Sequence, residues 1–131
     1  MVLIGIDGAI DSEKEVVFVE SIAAVINGST KTPNGSLLVA DFSESDLPLY
    51  GECTDRLAIR VSSVREFVIV SAAAVRYALC DLAVAPKLQQ IADHYLSDTK
   101  VLAIAAPSQI EEIALLGVDG IFALAFPAMN S

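Results

Sequence analysis

Lys100-Val-Leu-Ala-Ile-Ala-Ala-Pro-Ser-Gln-Ile-Glu-Glu-Ile-Ala-Leu-Leu-Gly-Val-Asp-Gly-Ile-Phe-Ala-Leu124 is the stretch whose reading decides the fold. A short apolar run, an amphipathic stretch and a second short apolar run follow one another, as in a βαβ unit whose strands are buried on both faces. The pattern predicts a strand from Lys100 to Ala105, a helix from Ser108 to Leu116 and a strand from Gly120 to Leu124. Ser108 and Glu111 have the spacing of a capping box, and Gly117 stands where a left-handed C-terminal cap is wanted. Ile110, Ile113, Ala114 and Leu116 supply the buried stripe of that helix.

The same alternation extends upstream to Glu66. It predicts a strand over Phe67 to Ser71, a short helix over Ala73 to Cys80, a strand over Leu82 to Ala85 and a helix over Lys87 to Leu96. Nearer the N-terminus, Val2 to Ile6 reads as a first strand. Ser12 and Glu15 then make a capping-box pattern ahead of Phe18, Val19, Ile22, Ala23 and Ile26 at helical spacing, with Gly28 to end the helix. Val16 to Val19 is nevertheless rich in β-formers, so a hairpin from Ile6 to Val19 stays open as the alternative for residues 11–27. The segment 29–35 reads as a loop and Ser36 to Ala40 as a strand. Residues 42–55, acidic and broken by Pro48 and Gly51, read as a surface excursion, a lid or partner-binding loop. Leu57 to Val61 is a further strand, placed at an edge because Arg60 interrupts its apolar run. The expected fold is α/β, one domain spanning residues 1–131, with a three-layer flavodoxin-like or Rossmann-like open, mostly parallel sheet.

Composition agrees with such a core. The chain has 131 residues, enough for folding to bury about 70% of the surface exposed by the unfolded chain. Apolar residues make up 54% and aromatic ones 6%, so the interior must be built from Val, Ile, Leu and Ala. An apolar share above the soluble average of roughly 45–50% points to a homo-oligomer. No apolar run approaches the ~20 residues of a membrane-spanning helix. Met1 leads straight into Val2-Leu3-Ile4 without a basic segment, so no secretory signal and a cytoplasmic location are expected. The net charge of −9 and the scattering of eight basic residues argue against nucleic acid as a partner. Cys53 and Cys80 read as two reduced thiols, and Cys80 beside Asp81 as an inert one, since an acidic neighbour raises a thiol pKa.

In open parallel sheets, ligands bind beyond the carboxyl ends of the strands. The predicted strands put five residues there: Asp7, Asp41, Ser71, Lys87 and Ser108. Asp7 and Asp41, if they converge, have the chemistry to share a magnesium ion, which favours one or two carboxylates plus water and phosphate oxygens. Lys87 would then neutralise a phosphoryl group, and Ser108 would offer a hydroxyl at a helix start. Each also has a plainer role as a turn, cap or solvated strand end. No glycine-rich phosphate loop and no G-x-S-x-G elbow is present, and the single His94 excludes a histidine-rich metal site.

Several short stretches resemble the end of the type-one glycerate kinases: Ala85-Pro86, Ile91-Ala92, Val101 to Ala105, Gly117-Val-Asp-Gly-Ile-Phe122, and Pro127 with Met129. Asp11-Ser12 and Ser21-Ile-Ala-Ala24 fall at places similar to that family, and together these cover about half the chain. The family's glycine-rich acidic motif has only Ala40-Asp41 as a counterpart, and its second acidic glycine motif has none. The resemblance therefore implies the family's flavodoxin-like domain without its phosphoryl-transfer machinery. Leu82 to Phe126 also resembles the later half of a response-regulator receiver, with Val84-Ala85 in place of the phospho-accepting Asp, and the Gly-Val-x-Gly-Ile-Phe run resembles the end of cobalamin-binding domains. All three imply the same kind of sheet. The function expected is a non-catalytic module binding an anionic metabolite or a protein partner. The alternatives are a magnesium-dependent, phosphotransferase-like enzyme on a small hydroxy-acid or phosphorylated substrate, and a structural or regulatory subunit of an oligomer.

Overall fold

The computed structural model describes residues 1–6, 15–28, 30–33 and 35–126. Seven strands form one sheet in which every pairing is parallel: β1 (Val2–Ile4), β2 (Val16–Phe18), β3 (Leu37–Asp41), β4 (Leu57–Arg60), β5 (Tyr77–Asp81), β6 (Lys100–Ile104) and β7 (Gly120–Phe122). Their order is β1-β7-β6-β5-β4-β3-β2. The connections contain the helices α1 (Ile22–Ile26), α2 (Val64–Ala72), α3 (Ala85–His94) and α4 (Ile110–Leu115), together with 3-10 turns at Leu47–Glu52, Thr54–Arg56 and Pro107–Gln109. The α/β class and the parallel sheet, consistent with a flavodoxin-like or Rossmann-like fold, are those expected from the sequence; the expected three layers are not, since the described helices all pack on one face of the sheet. No helix among the described residues is long and apolar enough to cross a membrane.

From β2 to β7 each strand lies beside the one before it, always stepping in the same direction. Right-handed crossovers that all step one way bring their helices to one face of a sheet. The burial pattern agrees. Ile22 of α1, Phe67 and Val70 of α2, Leu88 and Ala92 of α3 and Ile113 of α4 share one buried cluster with Leu38, Ile59, Cys80, Ala103 and Ile121 of the sheet. The opposite face holds Ile4, Leu37, Val39, Ala58, Tyr77, Leu79, Leu102 and Phe122, with Val16 and Phe18 packed against them and no helix residue among them. A sheet face without a helical cover must find another way to leave water. Here the sheet curls, and its inner face packs upon itself. Phe18 on β2 meets Phe122 on β7 edge-to-face, ring centroids 6.2 Å apart, although these strands lie at or near opposite edges.

Between Val64 and Ala85 the expected alternation is out of phase by one element. Phe67 to Ser71 is not a strand but the middle of α2, and Ala73 to Cys80 is not a helix but the approach to and most of β5. Leu82 to Ala85 turns into α3 instead of forming a strand. The cause is capping. Ser63 accepts the Glu66 N–H at 3.1 Å, and Glu66 Oε1 accepts the Ser62 N–H at 2.9 Å, which starts a helix just ahead of the β-branched run. That helix ends when Ala74 adopts a left-handed conformation with φ 59°, its N–H bonding to Ser71 and that of Val75 to Val70.

The N-terminal expectations also need correction. Val16–Phe18 is a strand parallel to β3, so the long helix is replaced by strand plus short helix, and β1 lies at the other edge of the sheet, so no β1–β2 hairpin forms. Helix α1 starts at Ser21, whose hydroxyl accepts the Ala24 N–H. Ser12 lies outside the described residues. Strand β4 is interior, between β3 and β5, and not an edge. The excursion 42–55 packs as a crossover: Leu47, Leu49 and Cys53 join the outer core, Tyr50 is fully buried, and buried Asp46 accepts the Ile22 N–H at 2.9 Å. Gly117, with φ 74°, caps α4 as expected, but Ser108 and Glu111 form no box; the Ala106 N–H donates instead to Gln109 Oε1.

Candidate functional site

Side chains in a strand alternate between faces, so the inner residues Leu37 and Val39, Ala58, and Tyr77 and Leu79 predict which residue comes next on that face. On β3 it is Asp41, on β4 Arg60 and on β5 Asp81. The register holds them together: Asp41 pairs with Arg60, and Arg60 with Leu79, two residues before Asp81. Three neighbouring strands thus end in a row of charges, minus, plus and minus, at the carboxyl mouth of the curled sheet.

Arg60 is the centre of this row. Its Nε lies 2.7 Å from Asp41 Oδ1 and its Nη2 donates to Asp41 Oδ2 at 3.2 Å, so the two groups meet fork to fork. Both side chains keep about half their surface, 40% for Arg60 and 50% for Asp41, so solvent screens the pair and its value lies in orientation more than stability. The guanidinium also sits 4.4 Å from the centre of the Phe126 ring. Phe126 in turn packs edge-on against Phe18 at 5.2 Å and tilted against Phe122 at 5.6 Å. One side of the mouth is therefore charged and the other aromatic.

Two clefts open around Arg60. One, of about 250 Å³, is lined by Asp41, Phe42, Arg60, Val61, Ser62 and Glu66. The other, of about 300 Å³, is lined by Arg60, Val61, Ser62, Asp81 and Val84. The loop between them is fixed from below, because Ser62 donates both its N–H and its hydroxyl to Glu66 Oε1. Neither the Nη1 group of Arg60 nor the Asp81 carboxylate makes a hydrogen bond or ion pair among the described residues.

Of the five residues expected at the strand ends, Asp41 is in the mouth, and Asp7 lies outside the described residues. Ser71 is elsewhere, on α2, where its hydroxyl shares a hydrogen bond with that of Ser97 and lines an apolar groove between α2 and α3 with Phe67, Val68, Ile91 and Tyr95. Lys87 is exposed in the first turn of α3 and lines neither cleft. Ser108 lies on a shallow surface with Glu111, Glu112, Leu115 and Leu116. Of the expected magnesium pair only Asp41 lies among the described residues, where both its carboxylate oxygens meet Arg60.

The sequence reading missed Arg60, Asp81 and Phe126. A signal was present for the first two, since each closes an apolar run, as Ile59-Arg60 and Cys80-Asp81, in the way that Ala40-Asp41 does. In the sequence Arg60 reads as the mark of an edge strand, and the shifted phase between Val64 and Ala85 puts Asp81 between elements.

Cys80 faces away from the mouth, into the helix-covered core. Burial, and secondarily the Asp81 charge, push its thiol from an ordinary 9.0 up to about 12. The folded chain thus holds a proton that the unfolded chain begins to release near pH 9, so stability contributed by this thiol is complete below pH 9 and is lost as the pH rises toward 12. Urea titrations across that interval should show a falling stability, with a shallower decline in Cys80→Ala. Native protein at pH 8 should leave Cys80 unmodified by iodoacetamide, as read by mass spectrometry.

No protein-family model matches the chain, and no curated protein matches it either.

Proposed function

We propose that this chain is a small α/β binding module, distantly glycerate-kinase-like and non-catalytic, that holds an anionic metabolite at the mouth of its curled sheet. The observation that carries this reading is Arg60. A guanidinium offers five N–H donors in a planar fork suited to carboxylate and phosphate. Asp41 occupies one edge of that fork and Phe126 one face, which orients the group and leaves Nη1 to meet a ligand in a cleft it lines. Pre-orientation of this kind reduces what binding must spend on ordering the side chain. The location supports the reading too, since ligands of parallel sheets gather beyond the carboxyl strand ends.

Thermal unfolding in the presence of small carboxylates, with glycerate and lactate as first probes, tests it. A ligand selective for the folded chain at a hundred times its Kd adds about 2.7 kcal/mol of stability. Wild-type protein is expected to show a concentration-dependent rise in Tm, and Arg60→Gln to lose it while keeping the Tm of the free protein within a few degrees. An equal ligand response in both proteins would overturn the assignment of the site.

A further inference from the structure

Arg60 is not the only charge in its cleft, and its neighbours restrict what the ligand can be. Asp41 already neutralises the guanidinium, while Asp81, on the adjacent strand and the same inner face, adds an unpaired carboxylate to the cleft that Arg60, Val61, Ser62 and Val84 line. Glu66 adds a further acid on the other side. A purely anionic molecule placed on Nη1 would therefore approach Asp81 without compensation. A molecule that carries a cationic nitrogen beside its carboxylate would satisfy both.

We propose that the ligand is a zwitterion of the α-amino-acid type, its carboxylate on Arg60 and its ammonium on Asp81. This deepens the anion-binding reading and rests on it. Three observations on the page converge. The strand register sets Arg60 and Asp81 on neighbouring strands and on the same face. Both have hydrogen-bonding capacity left over, Nη1 on one and both carboxylate oxygens on the other. The cleft that joins them has about 300 Å³, at the small end of ligand pockets. Its remaining walls are Ser62, the nearly buried Val61, and Val84, which is part-exposed and offers contact to a short apolar side chain. Asp81 is exposed, so the discrimination rests on charge: its carboxylate attracts an ammonium, and a hydroxyl in the same place gains no such attraction.

The test is calorimetric titration of wild-type protein with L-alanine and L-valine and with matched analogues, namely the 2-hydroxy acids lactate and 2-hydroxyisovalerate, and the amides of both amino acids. Because the analogues probe the unaltered protein, the result does not depend on whether a variant folds. The amino acids should bind several-fold more tightly than the hydroxy acids, which lack the ammonium, and than the amides, which lack the carboxylate. Asp81→Asn should abolish the preference for amine over hydroxyl, read as a fall of amino-acid affinity to that of the hydroxy acids. Hydroxy acids binding as well as amino acids would overturn the zwitterion and leave the anion-binding reading standing. Amides binding as well as amino acids, or no binding by any of the six, would overturn both.

Discussion

Gly120→Ala is expected to lower the stability of the chain by about 3 kcal/mol or more, a sizeable part of the 5–15 kcal/mol that holds a typical domain folded. Gly120 opens β7 and is paired with Val2 of β1 on one side and Leu102 of β6 on the other. A Cβ built on it would collide with the Val2 carbonyl oxygen and lie 2.8 Å from both Val2 Cβ and Leu102 Cδ2. A backbone carbonyl cannot swing aside as the end of a long side chain can. Relief requires β1 to move away from β7, which breaks the ladder on which the N-terminal strand depends, since β7 is the neighbour of β1 in the sheet. Urea unfolding followed by circular dichroism measures the loss. Gly117→Ala is the control: it has φ 74° and nothing within 4 Å of its absent Cβ, so only the left-handed strain of roughly 1–2 kcal/mol applies. Equal losses at the two positions would show that crowding at β1 is not the cause.

Asp46→Ala is expected to cost about 1–3 kcal/mol, the usual penalty for leaving a buried donor unsatisfied. Asp46 is buried in the segment between β3 and β4, and its Oδ2 accepts the N–H of Ile22, itself fully buried at the start of α1. The first N–H groups of a helix have no partner within it, and Ser21 reaches only the Ala24 N–H. Removing the carboxylate orphans the Ile22 donor under the outer core. Asp46→Asn retains an oxygen acceptor and should recover most of the loss, whereas Asp46→Leu should not. Hydrogen exchange at Ile22, compared across the three variants, locates the effect: its protection should fall in Ala and Leu and persist in Asn. Unchanged exchange in all three would assign the stability change to some other contact of Asp46.

Asp46 also shows why part of the molecule was legible in the sequence and part was not. The segment 42–55 reads as surface because it is acidic and holds Pro48 and Gly51, and local composition carries no mark that one of its acids will cap a helix 24 positions away. The run Phe67-Val-Ile-Val fails for a different reason. Its apolar density suits a buried strand, yet in α2 only Phe67 and Val70 are fully buried, while Val68 remains 47% exposed. A short apolar run fits either period, and the arbiter is the Ser62-Ser63-Glu66 cap just ahead of it.

Local physics, readable from the sequence alone, determined the α/β class, the parallel sheet, the strands at Leu37, Leu57, Lys100 and Gly120, and the glycine cap of α4. These follow from apolar period, crossover length and backbone preference, all short-range properties. Only the tertiary structure decided the order of the strands, the curl and the mouth. One-way crossovers put the described helices on one sheet face, and the need to bury the other bends the sheet until Phe18 meets Phe122. That bend, with the register of β3, β4 and β5, aligns Asp41, Arg60 and Asp81 from three separate stretches of chain, a juxtaposition that no local pattern encodes because side-chain direction becomes shared only once strands are paired.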